Sequence, residues 1–138
     1  MPAPVSAYGV AFPPDGRSIV VGSNELGTIA RLDLEKRTWQ PLAKGLKGLQ
    51  RIELAPSGKS VLVMQRGAVV TRFQIDPWVA LPPLKIASFL DGKPRYSWDW
   101  SDFSPSGRRA LLSWNKLDGT VDYLDMEKPG VSLFEIRD

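Results

Sequence analysis

The chain has 138 residues, a formal net charge of +3, twelve glycines and twelve prolines, but no cysteine and no histidine. Without those two residue types it can form no disulfide, no thiol or Ser-His-Asp catalytic centre and no zinc site of the usual Cys/His kind. We therefore expect no catalytic, metal or cofactor site, and a protein that is not an enzyme.

The chain contains three copies of one strand-turn-strand pattern. The first copy, near the N-terminus, predicts four short strands. Apolar residues alternate in Val5–Phe12, which is predicted as the inner strand, and the turn dipeptide Asp15-Gly16 follows it. Glycine suits that turn because it adopts positive φ without steric cost. The other three strands are predicted at Arg17–Asn24, Gly27–Leu34 and Thr38–Ala43.

The second repeat has the same pattern, with strands predicted at Leu49–Ala55, Lys59–Arg66, Ala68–Ile75 and Leu84–Phe89. Its third strand is one residue longer than its counterpart, counted from the turn glycine, so a β-bulge is predicted there. The segment Asp76–Pro83 holds three prolines, which central strands do not accept, and is predicted to be a loop.

The third repeat predicts strands at Ser97–Phe103, Arg108–Asn115, Thr120–Met126 and Val131–Ile136. The glycines of the three matching turns, at positions 16, 58 and 107, are separated by 42 and 49 residues. Repeats of roughly 40–50 residues with several short strands are typical of propeller blades.

The repeats resemble those of the WD-repeat and TolB-like propeller families. The resemblance is carried by FPPDGRSIVVGS, LAPSGKSVLVMQ and FSPSGRRALLSW, followed by GTIARLDL, AVVTRFQID and GTVDYLDM. The Trp-Asp pair of WD repeats is replaced by Leu32-Asp33, Phe73-Gln74 and Leu124-Asp125, so the TolB-like variety fits better. The resemblance implies an all-β domain, 1–138, of three four-stranded antiparallel blades at about 1–46, 47–92 and 93–138.

Three blades leave a propeller incomplete, because closed propellers have roughly four to eight. We expect a homodimer that closes a six-bladed ring; a complementary propeller subunit, or a longer parent chain, would also supply the missing blades. Residues 1–98 hold 13 Lys and Arg against 7 Asp and Glu, whereas residues 99–138 hold 5 against 8. Opposite charges at the two ends of the chain favour head-to-tail contact.

The predicted function is that of a non-catalytic scaffold or recognition module acting through protein–protein contacts. Trp78 and Leu81 are contact candidates because they are apolar residues in a proline-rich loop. Trp98 and Trp100 are two residues apart and are expected on one face of a strand, where they could anchor a junction between blades. Trp39 is a fifth candidate, since it lies next to cationic residues.

Two alternatives, nucleic-acid binding and a calcium-dependent enzyme, remain open from the sequence. A basic stripe with Trp39 could bind a nucleic-acid backbone without sequence preference; its cations are Arg17, Lys36, Arg37, Lys44, Lys47, Arg51 and Lys59. Asp118, Asp122 and Asp125 could form a calcium site in a propeller hydrolase or lactonase, although turn and surface roles are more common for such residues. The segment GLKGLQR lacks the Gly-Lys-Ser/Thr ending of a phosphate-binding loop.

The expected location follows from what the sequence lacks. No apolar stretch reaches the ~18 residues of a membrane-spanning helix, and residues 1–10 have neither the basic nor the apolar region of a signal peptide. The cytoplasm is therefore favoured and no membrane association is expected, although a mature exported protein would lack a signal peptide too.

Overall fold

A computed structural model describes residues 9–84, 86, 89–90, 93–94, 96–114, 120–126 and 131–135. The described residues form β-strands and turns without a helix, which confirms the all-β prediction. Twelve of the fourteen strands build three four-stranded antiparallel sheets, each ordered as in the chain. The first sheet consists of β1 (Gly9–Ala11), β2 (Ser18–Ser23), β3 (Thr28–Asp33) and β4 (Thr38–Ala43).

The second and third sheets repeat this hairpin order. The second sheet consists of β5 (Leu49–Leu54), β6 (Ser60–Gln65), β7 (Val69–Gln74) and β8 (Val79–Leu84). A two-stranded hairpin follows, formed by β9 (Phe89–Leu90) and β10 (Lys93–Pro94). The third sheet consists of β11 (Trp98–Phe103), β12 (Arg109–Trp114), β13 (Thr120–Asp125) and β14 (Val131–Glu135).

The sheets lie face to face, with the second one in the middle. One apolar cluster joins the first and second sheets and includes Val20, Ile52 and Val63. The other joins the second and third sheets and includes Leu62 and Leu112. Because successive residues of a strand point to opposite faces, β6 supplies Val61 and Val63 to one cluster and Leu62 and Met64 to the other.

Glycines bring the first and second sheets close together at their inner strands. A Cβ added at Gly9 would lie 2.8 Å from the backbone nitrogen of Ile52, and one at Gly22 would lie 3.0 Å from the Leu49 side chain. β1 and β2 both contact β5, and β5 in turn contacts β11. The first strands of the three sheets are thus neighbours.

The predicted fourth strand of the second repeat was wrong. The strand is Val79–Leu84 and not Leu84–Phe89, and all of its residues except Leu84 belong to the segment predicted to be a loop. Among the described strands β8 pairs only with β7 and lies at the sheet edge, so the missing N–H groups of Pro82 and Pro83 break no second ladder. The longer second spacing comes from the β9–β10 hairpin, which follows this strand.

The bulge predicted in the third strand of the second repeat was also wrong. β7 has six residues, as β3 has, and pairs with β6 without interruption from Gln65↔Val69 to Ser60↔Gln74. The turn before β7 is one residue shorter, and Ala68, with φ of 59°, occupies the place of Gly27, with φ of 57°. The residue counted as extra, Gly67, therefore belongs to the turn. The β7–β8 ladder has a register shift between Val70↔Leu84 and Arg72↔Leu81, and the β3–β4 ladder has one at the matching place.

A bulge that the sequence analysis did not predict separates Trp98 from Trp100. Trp98 pairs with Trp114 and Trp100 pairs with Ser113, so Asp99 is the extra residue of β11. Trp114 and Ser113 are consecutive in β12 and point to opposite faces. The expectation that Trp98 and Trp100 share a face assumed an unbroken strand, and the bulge at Asp99 removes that assumption. β5 has the same irregularity between Leu49 and Arg51.

Candidate functional site

Matching backbone hydrogen bonds define which positions of the three sheets are equivalent. The N–H of Leu34 donates to the Arg17 carbonyl at 2.9 Å, that of Ile75 to Lys59 at 2.9 Å and that of Met126 to Arg108 at 2.7 Å. Gly16, Gly58 and Gly107 each donate an N–H to the carbonyl three residues earlier. Any residue of one sheet can thus be compared with its counterparts in the other two.

The face of the first sheet that points away from the second sheet, here called the first outer face, carries exposed apolar side chains, although Val21 and Ala30 on the same face are buried. Phe12 is 63% exposed, whereas its counterparts Leu54 and Phe103 pack against the two clusters between sheets. Val10 is 51% exposed, and its counterpart Ile52 is buried. The first outer face therefore exposes Val10 and Phe12 more than the second sheet exposes their counterparts Ile52 and Leu54.

Leu34 extends the first outer face toward the β3–β4 turn. It is 40% exposed, while its counterpart Ile75 is only 5% exposed and belongs to the cluster between the first and second sheets. The third counterpart, Met126, packs against the other cluster. The exposed positions thus span both the inner strand and the third strand of the first sheet.

The opposite end of the stack is the face of the third sheet turned away from the second sheet, here called the second outer face. Leu111 is 44% exposed there, although its counterparts Val20 and Leu62 are fully buried. Beside it lies a concavity of about 430 Å³ lined by Asp102, Pro105, Leu111 and Tyr123 among others. The Arg109 guanidinium lies over the Tyr123 ring, 5.7 Å from its centroid.

The hairpin turns of neighbouring sheets interlock through a proline and a glycine. A Cβ at Gly58 would collide with the Pro14 ring, and one at Gly107 would lie 3.0 Å from the Pro56 ring. By equivalence, Gly16 and Pro105 are the two residues of this kind without a counterpart in the described chain. No heavy atom of the described chain lies within 4 Å of a Cβ built at Gly16, and Gly16 is exposed whereas Gly58 and Gly107 are half-buried.

Of the predicted contact residues, Trp78 and Leu81 belong to the second sheet and its outer edge. Trp78 stacks on Phe73, with ring centroids 4.8 Å apart, and packs against the cluster between the first and second sheets. Leu81 lies in β8 opposite Arg72 and is half-buried. Trp78 thus covers the rim of an internal junction.

Trp39 lies at the edge of the first outer face. It pairs with Leu32 in the neighbouring strand, and both side chains are half-buried. The counterpart of Leu32 is Phe73, on the face that the second sheet turns toward the first. Trp39 and Phe12 therefore belong to one apolar surface.

Trp98 lies at the junction of the second and third sheets. Its backbone N–H donates to Gln50 Oε1 at 2.7 Å, and Gln50 Nε2 donates to Ser97 Oγ at 3.0 Å. The Arg51 guanidinium lies 5.2 Å from the centre of the Trp98 ring. Trp98 is thus held within the chain at an internal junction. The side chain of Trp100 lies outside the described part of the structure.

The aspartates considered as calcium ligands do not converge where they are described. Asp122 is buried and accepts a hydrogen bond from Trp114 Nε1 at 3.1 Å, whereas Asp125 lies 4.0 Å from Arg108. They are three residues apart in β13 and so lie on opposite faces of the sheet. Asp118 is outside the described residues, among which no group of three potential metal ligands occurs.

The cations considered for nucleic-acid binding are exposed but lie at opposite ends of the strands. Three of the cations lie near turns: Arg17 at β1–β2, Lys36 at β3–β4 and Lys59 at β5–β6. The acidic residues Asp15 and Asp33 lie beside Arg17 and Lys36. Lys44 and Lys47 lie near the other end, where the Leu46 N–H donates to the Gly27 carbonyl. The structure does not gather them into one stripe.

The first sheet is less basic than the comparison of residues 1–98 with residues 99–138 suggests. Residues 1–46 hold 5 Lys and Arg against 4 Asp and Glu, and residues 47–98 hold 8 against 3. Most of the positive surplus therefore belongs to the middle sheet and its connection. Packing, more than charge, distinguishes the two outer faces.

Four exposed apolar residues of the outer faces were not predicted from the sequence as candidate site residues: Val10, Phe12, Leu34 and Leu111. Apolar residues occupy most of the same positions in the other repeats, so composition does not mark these four. The signal that could have found them is their place in the first and last repeats, since terminal repeats of a stack lack a neighbour on one side.

Comparison with known proteins assigns no relationship. No family model matches the chain, and no curated protein is recognisably similar to it. The resemblance to the WD-repeat and TolB-like families therefore depends on the repeats alone. Within the described residues no helix has the length and apolar character needed to cross a membrane.

Proposed function

We propose that the protein is a non-catalytic interaction module of the propeller type, whose outer sheet faces bind another protein chain. The three sheets would be blades, and the bound chain would supply the blades that complete the ring. The observation that carries this proposal is the exposure of Phe12 at 63% in a position where both other sheets place a packed apolar residue.

Physical chemistry supports a covered state for these faces. Burial of apolar surface contributes about 25 cal/mol per Å², and an uncovered apolar sheet face promotes aggregation. A partner that packs on Val10, Phe12 and Leu34 would give them the environment that Ile52, Leu54 and Ile75 already have. The stack would then be stabilised at its ends in the same way as at its two internal junctions.

Sedimentation equilibrium across a concentration series tests whether the purified protein associates. We expect a mass above the 15.3 kDa of one chain, which increases with protein concentration. Because the contact is mainly apolar, added salt should not weaken it. A single species of one chain mass at every concentration would contradict the proposal for the protein alone.

A further inference from the structure

We propose that the partner is a second copy of this chain, bound head to tail, and this inference rests on the proposed function. The first outer face of each copy packs on the second outer face of the other, so the dimer has two identical junctions. At each junction Phe12 enters the concavity beside Leu111, and Pro105 covers Gly16.

The internal junctions show how the faces fit. Leu54 of the second sheet packs against the cluster that contains Val20 of the first sheet. Phe103 of the third sheet packs against the cluster that contains Leu62 of the second. Phe12 and Leu111 are the next pair in this series, and both are exposed. The third sheet therefore presents the surface that the first sheet of another copy would cover.

The contacts between hairpin turns of neighbouring sheets indicate the same placement of the second copy, independently of the apolar side chains. Pro14 meets Gly58 and Pro56 meets Gly107, so each proline contacts the glycine of the following sheet. Among the described strands no sheet follows the third one, which contains Pro105, and none precedes the first one, which contains Gly16. A second copy placed by the same rule brings these two residues together.

Charge at the second outer face is compatible with this occupant. Asp102 lines the concavity, and its counterpart Glu53 lies in the middle sheet, where both faces are covered. Glu53 remains half-buried there and forms an ion pair with Arg51 at 3.2 Å. An acidic residue at this position of the inner strand therefore does not prevent packing.

The number of sheets also fits two copies. Two chains give six sheets, which is within the roughly four to eight of closed propellers, whereas three chains would give nine. Head-to-tail contacts close into a ring when the rotation between subunits permits it. A dimer joined by two first outer faces would instead leave both second outer faces exposed.

Three lysine variants with the same charge change test the arrangement. Phe12→Lys and Leu111→Lys each alter one outer face at a side chain that is exposed in the single chain, so the fold should persist. We expect each alone to weaken the dimer by at least about 30-fold, since central apolar anchors dominate interfaces. Val79→Lys is the control, because Val79 is 45% exposed but belongs to the middle sheet, and it should dimerise like the parent.

Mixing the two defective variants distinguishes head-to-tail from face-to-face contact. A mixed dimer keeps one junction free of substitutions, so an equal mixture should sediment as a dimer although each variant alone does not. This result also shows that both variants are folded.

The inference is overturned if Leu111→Lys dimerises like the parent, if the mixture stays monomeric, or if Val79→Lys dissociates equally. In those cases association of the parent would still support the proposed function. Failure of the parent to associate would count against both.

Discussion

Replacement of Trp114 by alanine is expected to lower the free energy of unfolding by about 3–5 kcal/mol, the range for large aromatic residues removed from a packed core. Trp114 is fully buried in the cluster between the second and third sheets. The substitution removes its packing and also the indole hydrogen bond to Asp122 Oδ2, a buried carboxylate. Loss of a bond to a buried polar group adds to the cost of the cavity.

Urea unfolding followed by far-ultraviolet circular dichroism measures this effect, at a concentration low enough to keep the chain monomeric. Tyr96→Ala is the control, because Tyr96 is aromatic but 54% exposed, and it should cost far less. Equal losses for the two variants would show that the second and third sheets are not joined by a packed core at Trp114.

Gly58→Ala is expected to cost more stability than Gly16→Ala, although both glycines have nearly the same backbone conformation, with φ of 70° and 63°. A left-handed conformation costs a residue with a Cβ about 1–2 kcal/mol at either site. At Gly58 the new methyl group also collides with the Pro14 ring, and overpacking adds about 1–3 kcal/mol. The difference between the variants isolates the contact between the first and second sheets.

The same pair of variants should separate folding from assembly. In the dissociated chain Gly16→Ala should show only the backbone cost, but it should weaken the dimer, where Pro105 of the partner copy covers this turn. Urea unfolding measures the first quantity and sedimentation the second. Equal destabilisation of the dissociated chain by both substitutions would contradict the turn-to-turn contact.

Local chemistry made most strands predictable. Thr38–Ala43 was predicted with the bounds it has in the structure. The other strands, apart from the outer strand of the second repeat, differ from the prediction by at most one residue at each end that is described. The turns at Gly16, Gly58 and Gly107 need positive φ, which glycine supplies, so their positions were readable. Alternation and turn residues are local properties, and the sequence contains them directly.

Features that depend on which strands pair and which sheets are neighbours could not be predicted from the sequence. Pro82 and Pro83 excluded a central strand but not an edge strand, and only the sheet order shows that β8 lies at an edge. The bulge at Asp99 is a property of the β11–β12 register, so the sequence alone suggested one face for Trp98 and Trp100. The exposure of Phe12 likewise depends on which sheet has a neighbour.

The most direct measurement of head-to-tail closure is a disulfide cross-link, since the chain has no native cysteine. In the internal pairs the Cβ built at the glycine lies 3.5 Å from the Pro14 Cβ and 3.7 Å from the Pro56 Cβ, within the range of disulfides. Pro56→Cys/Gly107→Cys, oxidised with diamide, should therefore close within one chain and serves as the control.

Gly16→Cys/Pro105→Cys should give a covalent dimer on a non-reducing gel under the same conditions, whereas either single substitution alone should not. A covalent dimer is expected because the head-to-tail arrangement places Gly16 of each copy against Pro105 of the other. A double variant that stays monomeric while the internal control closes, or a Gly16→Cys variant that cross-links to itself as readily, would contradict the head-to-tail ring.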